Sequence, residues 1–161
     1  GAVVLYVAKF LQKNPDATLE QAIDVANEAI AKVRMGFFPG DLDYLRAGGR
    51  VSNAAYLGAK LLSLHPLIEI LDGKLMSTKK YRGKMQKVAV KMVEEYAEKY
   101  NLERNCIWLV YTVGLSDEIR ADIEAAVKKC GFEKLQWIQA GGVITTHGGP
   151  AAFGLAGLSR K

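Results

Sequence analysis

Cysteine and histidine are both scarce in this chain of 161 residues, with two of each. Cys106 and Cys130 lie far apart, each in an apolar setting, with no CxxC spacing. That excludes a disulfide framework or a zinc knuckle and predicts two buried free thiols of a reducing compartment. With no CxxC spacing, no metal is expected either. The chain also lacks the GxSxG elbow, HExxH, the GxxxxGK[ST] loop and any carboxylate pair in a glycine loop, so no catalytic residue and no cofactor is assigned. Internal repeats, low-complexity tracts and linkers are absent as well.

Charge of one sign is nearly balanced by the other, leaving a net +5. The lysines alternate with glutamates on helices, as on solvated faces, so a nucleic-acid partner is not expected. The opening GAVVLYVAKFL lacks a basic leader and is too short to cross a bilayer, which predicts a cytoplasmic protein without stable membrane insertion. Val3, Val4, Leu5, Tyr6, Val7, Phe10 and Leu11 surround its helical wheel. A helix apolar all round must be buried all round. The expectation is therefore a piece that begins inside a larger protein and self-associates through this helix.

What is present reads as alternating helices and strands. Thr18 with Gln21 makes a capping box. Leu19, Ile23, Ala26, Ile30 and Val33 then share a helix face that Gly36 ends. Asp41 caps a short helix that stops at Gly48-Gly49, and Ser52 caps another through Leu62. Asp72-Gly73 between apolar runs predicts a type I′ hairpin, with His65 in a loop before it. Lys84 to Tyr100 forms an amphipathic helix. NCIWLVYTVG is a strand covered on both faces. Ser116 opens a helix whose acidic start and basic end suit the dipole. KLQWIQ is a strand, followed by a short turn or helix through His147 and a last strand from Ala152 to Leu158. The expected fold is α/β (α+β): a mixed, largely antiparallel sheet covered by helices.

Three glycine pairs stand out: Gly48-Gly49, Gly141-Gly142 and Gly148-Gly149. Arg50 follows the first and His147 precedes the third. Bare glycine amides, a guanidinium and an imidazole together suit an anionic head group. Plainer readings exist for each: Gly48-Gly49 as a helix stop, Arg50 as a surface residue, His147 as a structural histidine. A second functional class is an enzyme with His147 as general acid or base on an acyl or phosphoryl substrate. A Thr146-His147 dyad does not support it, since adjacent side chains diverge.

The segments DLDYLRAGGRVS, RGKMQKV and TTHGGPAAFG, in this order and spacing, resemble the DegV family of fatty-acid-binding proteins across the whole chain. The resemblance implies that residues 1–161 are the C-terminal domain of a two-domain fold, with 1–35 as helices leading out of an N-terminal part. It implies a carrier of one long-chain fatty acid and not an enzyme. The carrier holds the acyl chain in an apolar tunnel while a separate fatty acid kinase phosphorylates the carboxylate. Arg50 and His147 would meet the head group, with Thr146 and Gly148 beside them, and Arg82 would face the kinase. The glycine before Asp41, in FFPGDLDYL, is a minor departure expected to alter the helix entry without touching the ligand.

Overall fold

The computed structural model describes residues 1–49 and 64–160. Arg50 and the helix expected from Ser52 to Leu62 lie outside the described residues. Two helices, α1 (Ala2–Lys13) and α2 (Leu19–Lys32), open the chain. The Thr18 hydroxyl accepts from the Gln21 amide, and the Gln21 side chain accepts from the Thr18 amide at 2.9 Å, so the capping box forms.

The sequence reading departs from the structure next. It runs α2 on to Gly36, but the helix ends at Lys32 and Val33–Phe38 is strand β1. Residues 33–35 are thus strand and not helix. Gly36 is no stop signal. A Cβ there would stand 3.0 Å from Tyr96, 3.1 Å from Leu67 and 3.3 Å from Met92, so the glycine lets a helix pack close to the sheet. Either side of it, Met35 and Phe37 point to the opposite face.

Helix α3 (Leu42–Ala47) follows, with the Asp41 carboxylate accepting from the Asp43 amide at 2.8 Å. It stops at Gly48, and Gly49 takes φ 71°. Strands β2 (Leu64–Leu71) and β3 (Lys74–Arg82) form the hairpin, with Asp72 at φ 49° and Gly73 at φ 74° as a type I′ turn requires. His65 is in β2, opposite Tyr81, and not in a loop. Pro66 misled that reading. β2 pairs with β1 only at Ile68 and Glu69, so Pro66 needs no amide on that side.

Helix α4 (Met85–Lys99), strand β4 (Ile107–Tyr111), helix α5 (Asp117–Lys129), strand β5 (Leu135–Gln139), helix α6 (Gly142–Gly148) and strand β6 (Phe153–Leu158) complete the described fold. The six strands lie in the order β3-β2-β1-β6-β4-β5. Only β4 and β5 pair in parallel; the other neighbours are antiparallel. The mixed, largely antiparallel sheet expected from sequence is what the chain builds.

Register separates the two faces. Phe38, Leu67, Ile107, Leu109 and Leu155 point toward α4 and α5 and bury Val88, Met92, Val93, Ile123 and Val127 with them. On the other face, Trp108, Ala156 and Leu158 meet Ala2 and Tyr6 of α1. Within these residues that helix is covered on one side only. It has no fully buried residue, and Val4, Leu5 and Leu11 are exposed, as are Leu19, Ile23 and Ile30 of α2. Both thiols are free and half-buried rather than fully buried. Among the described residues no helix is long and apolar enough to cross a membrane.

Candidate functional site

The two glycine-rich motifs, about a hundred residues apart in sequence, meet in space. The Gly40 amide donates to the Gly148 carbonyl at 2.8 Å. A Cβ on Gly40 would lie 1.7 Å from the Pro150 carbonyl oxygen, a distance no side chain tolerates. Gly149, at φ 77°, passes Asp41 so closely that a Cβ would sit 2.9 Å from its amide nitrogen. Gly48, at the end of α3, leaves room for the His147 imidazole; a Cβ there would be 3.0 Å from Nδ1. Bare backbone on both sides lets α3 and α6 approach.

A threonine clamps the crossing. Thr112, just past β4, is buried, and its hydroxyl donates to the Gly149 carbonyl at 2.7 Å while accepting from the Ala152 amide at 2.8 Å. The sequence offered little signal for it, because it sits inside the apolar run that ends β4. Gly40 is the other residue that sequence reasoning undervalued. The glycine read as a minor departure is the one that permits the contact.

Under this crossing lies a cavity of about 260 Å³. Its floor is the sheet face opposite α4 and α5: Leu75 of β3, Ile70 of β2, Met35 and Phe37 of β1, Gly154 of β6 and Val110 of β4. Leu45 of α3, with Ile144 and His147 of α6, completes the wall. His147 is half-buried, and its Nδ1 is buried without a hydrogen-bond partner among the described residues. A buried polar nitrogen left unpaired costs about 1–3 kcal/mol and is rare in folded proteins.

The residues expected at the site divide. His147 and Gly148 line the cavity. Thr146 is exposed, and its hydroxyl donates to the Gly142 carbonyl of its own helix at 2.8 Å. Arg82 is exposed at the end of β3, opposite Leu64, and is not part of the cavity lining. Next to it, Gly83 at φ 133° is held by its carbonyl, 3.0 Å from Nε2 of His65. Burial pushes the His65 imidazole below the usual histidine range, more than the Gly83 bond raises it.

Among the described residues, the opposite face holds one buried charge. Glu69 of β2 is fully buried and accepts from the Thr78 hydroxyl, from the Tyr100 hydroxyl at 2.5 Å and from the Lys99 ammonium at 3.0 Å. Burial alone would raise its carboxyl, but the bonds from Thr78, Tyr100 and Lys99 outweigh it and hold it below the usual carboxylate range. Burial, together with the carboxylate, pushes the Tyr100 phenol up. An alternating strand gives no sequence signal for a carboxylate that faces inward.

Residues 1–160 match the family described as "Uncharacterised protein, DegV family". The chain belongs to the DegV family. A DegV domain-containing protein of Caldanaerobacter subterraneus is 30% identical over 159 residues, covering 96% of this chain and 54% of the relative. One of Deinococcus radiodurans is 27% identical over 158 residues, covering 97% and 54%. This DegV chain thus spans about half the length of the curated relatives it matches. Its fold is that of a DegV family protein from Eubacterium eligens loaded with heptadecanoic acid, with a TM-score of 0.83 and 16% identity over 98% of this chain and 56% of that one. A fatty-acid-binding DegV family protein from Thermus thermophilus gives a TM-score of 0.77 at 22% identity, covering 98% and 56%.

Proposed function

We propose that this DegV chain supplies one wall of a site for a single long-chain fatty acid. The acyl chain lies on the apolar sheet face, and the carboxylate meets His147, with Arg50 as its cationic partner. The observation that carries this reading is His147, a half-buried imidazole at the edge of an otherwise apolar cavity. A carboxylate at that edge would accept a hydrogen bond from the imidazole, assisted by the ligand's charge. The structures of the Eubacterium eligens and Thermus thermophilus relatives, which hold fatty acids in the same fold, support the choice of ligand.

The apolar floor supplies affinity, at about 0.8 kcal/mol per buried methylene. The imidazole and guanidinium supply orientation, fixing which end of the amphiphile stays at the α3–α6 crossing. At about 260 Å³ the cavity falls below the usual range for small-molecule sites of ~300–1,000 Å³. In this reading the part of the relatives that this chain does not span closes the other side. The protein is a carrier: it presents the carboxylate to a separate fatty acid kinase, which docks on the face that carries Arg82.

The test uses the protein that carries this chain. His147→Ala is expected to weaken binding of palmitate about tenfold to a hundredfold, the loss of one charge-assisted bond. Palmitate methyl ester, which has no carboxylate, should bind both proteins alike. Arg82→Glu should leave palmitate affinity unchanged and weaken the complex with the kinase, most at low salt. Equal losses for acid and ester in His147→Ala would overturn the head-group assignment. A kinase complex indifferent to Arg82→Glu would remove Arg82 from that face.

A further inference from the structure

The cavity floor crosses five adjacent strands, β3, β2, β1, β6 and β4, each of which contributes a lining residue. Neighbouring strands lie about 4.8 Å apart, so four steps across the sheet span about 19 Å. Carbon–carbon bonds of about 1.5 Å at tetrahedral angles advance roughly 1.25 Å per carbon in an extended chain. Nineteen ångströms is therefore about sixteen carbons.

The two ends of this track differ in chemistry. At the β4 end the wall is Thr112, Ala140 and the start of α6; His147, near the other end of α6, packs beside Gly48 of the helix that follows β1 and so stands part-way along the track. At the β3 end it is Ile70 and Leu75, directly opposite each other on the hairpin. Both line the cavity and both are exposed, 46% and 54% respectively. Two large apolar side chains left half in water at the end of an apolar track are positioned for an apolar terminus, not for a polar one. Their neighbours in the hairpin turn, Asp72, Gly73 and Lys74, are exposed as well, so the track has no further apolar continuation along β3 toward the turn.

Building on the fatty-acid reading above, we infer that the Ile70–Leu75 pair receives the terminal methyl of the acyl chain and sets its preferred length. The carboxylate is fixed at His147, so length is measured from there to the hairpin. A chain that ends short of the pair leaves it wet. One that runs past it must bend or expose methylenes, each worth about fourfold in affinity. Side-chain bulk at positions 70 and 75 thus acts as a stop.

The experiment measures displacement affinities for saturated fatty acids of twelve to twenty carbons on the protein that carries this chain. Wild type should show one preferred length, no longer than the roughly sixteen carbons that the full track spans. Ile70→Trp and Leu75→Trp should move the optimum two to four carbons shorter, losing tenfold or more on the longest acids and less than twofold on the twelve-carbon one. Leu75→Ala should move it longer. Met76→Trp is the control: it is equally exposed but on the other face of β3, opposite Glu69, and should change nothing. Both hairpin positions are exposed, so folding is not at stake, and far-ultraviolet circular dichroism checks it. A uniform loss at every length, or an unmoved optimum, would overturn the inference while leaving fatty-acid binding intact. Failure of wild type to bind any acid would overturn the reading on which it rests.

Discussion

Gly40→Ala is expected to destabilise the fold by about 4 kcal/mol or more, among the largest effects of any single methyl in this chain. The new Cβ would stand 1.7 Å from the Pro150 carbonyl oxygen, 2.6 Å from the Ala152 amide nitrogen and 2.7 Å from the Ala151 carbonyl carbon. All three are backbone atoms, so no rotamer change relieves the clash. The loops must separate, and the bond from the Gly40 amide to the Gly148 carbonyl then breaks. The Thr112 hydroxyl holds the far side of the same loop through Gly149 and Ala152, so it is strained too. Urea unfolding of the variant beside wild type measures the change. A difference below 1 kcal/mol would show that the two motifs do not rest on each other as described. His147 lies between them, so fatty-acid affinity should fall with stability.

The second large effect belongs to Glu69→Ala, expected to cost about 3 kcal/mol. Removing the carboxylate strips the hydroxyls of half-buried Tyr100 and exposed Thr78 of their acceptor and leaves a cavity where a fully buried side chain stood. Lys99 contributes less, because its side chain is 51% exposed and water replaces its partner. The carboxyl is held below its ordinary value in the folded chain. It therefore binds a proton less readily there than when unfolded, and its stabilisation is complete above pH 4.5 and lost as pH falls through the lower folded value. Acid titration of stability should show this loss in wild type, and Glu69→Gln should remove its share of the slope. An identical acid slope in both proteins would mean that the carboxylate is not ionised within this network.

Much of this architecture is legible in the sequence because local chemistry and tertiary packing agree. Thr18, Asp41 and Ser116 read as caps, and each side chain accepts the expected amide. Asp72-Gly73 reads as a type I′ turn, and its two φ angles are positive. β1 is where the levels disagree. Gly36 in VRMGFF serves a contact with Tyr96 and Met92 sixty residues away, which no local pattern encodes. His65 and Pro66 misled for a similar reason, since whether a proline fits a strand depends on which neighbours that strand has.

At the site, the same division holds. His147 was visible as a rare residue among glycines. Its distinguishing feature, a buried nitrogen without a partner among the described residues, exists only once Gly48 has let two helices come together. Gly40 and Thr112 have no chemistry that a reader of motifs would select. One contributes the absence of a side chain, and the other a hydroxyl aimed at a loop that closes forty residues later. Arg50, the proposed cationic partner, lies outside the described residues, so its part in the site rests on the motif.

Native mass spectrometry of the protein purified from cells tests the central claim most directly. A carrier with this cavity should arrive, in part or in full, as a one-to-one complex with a long-chain fatty acid, and added palmitate should fill the remainder. A spectrum showing only the bare polypeptide, both as isolated and after incubation with excess palmitate, would contradict it.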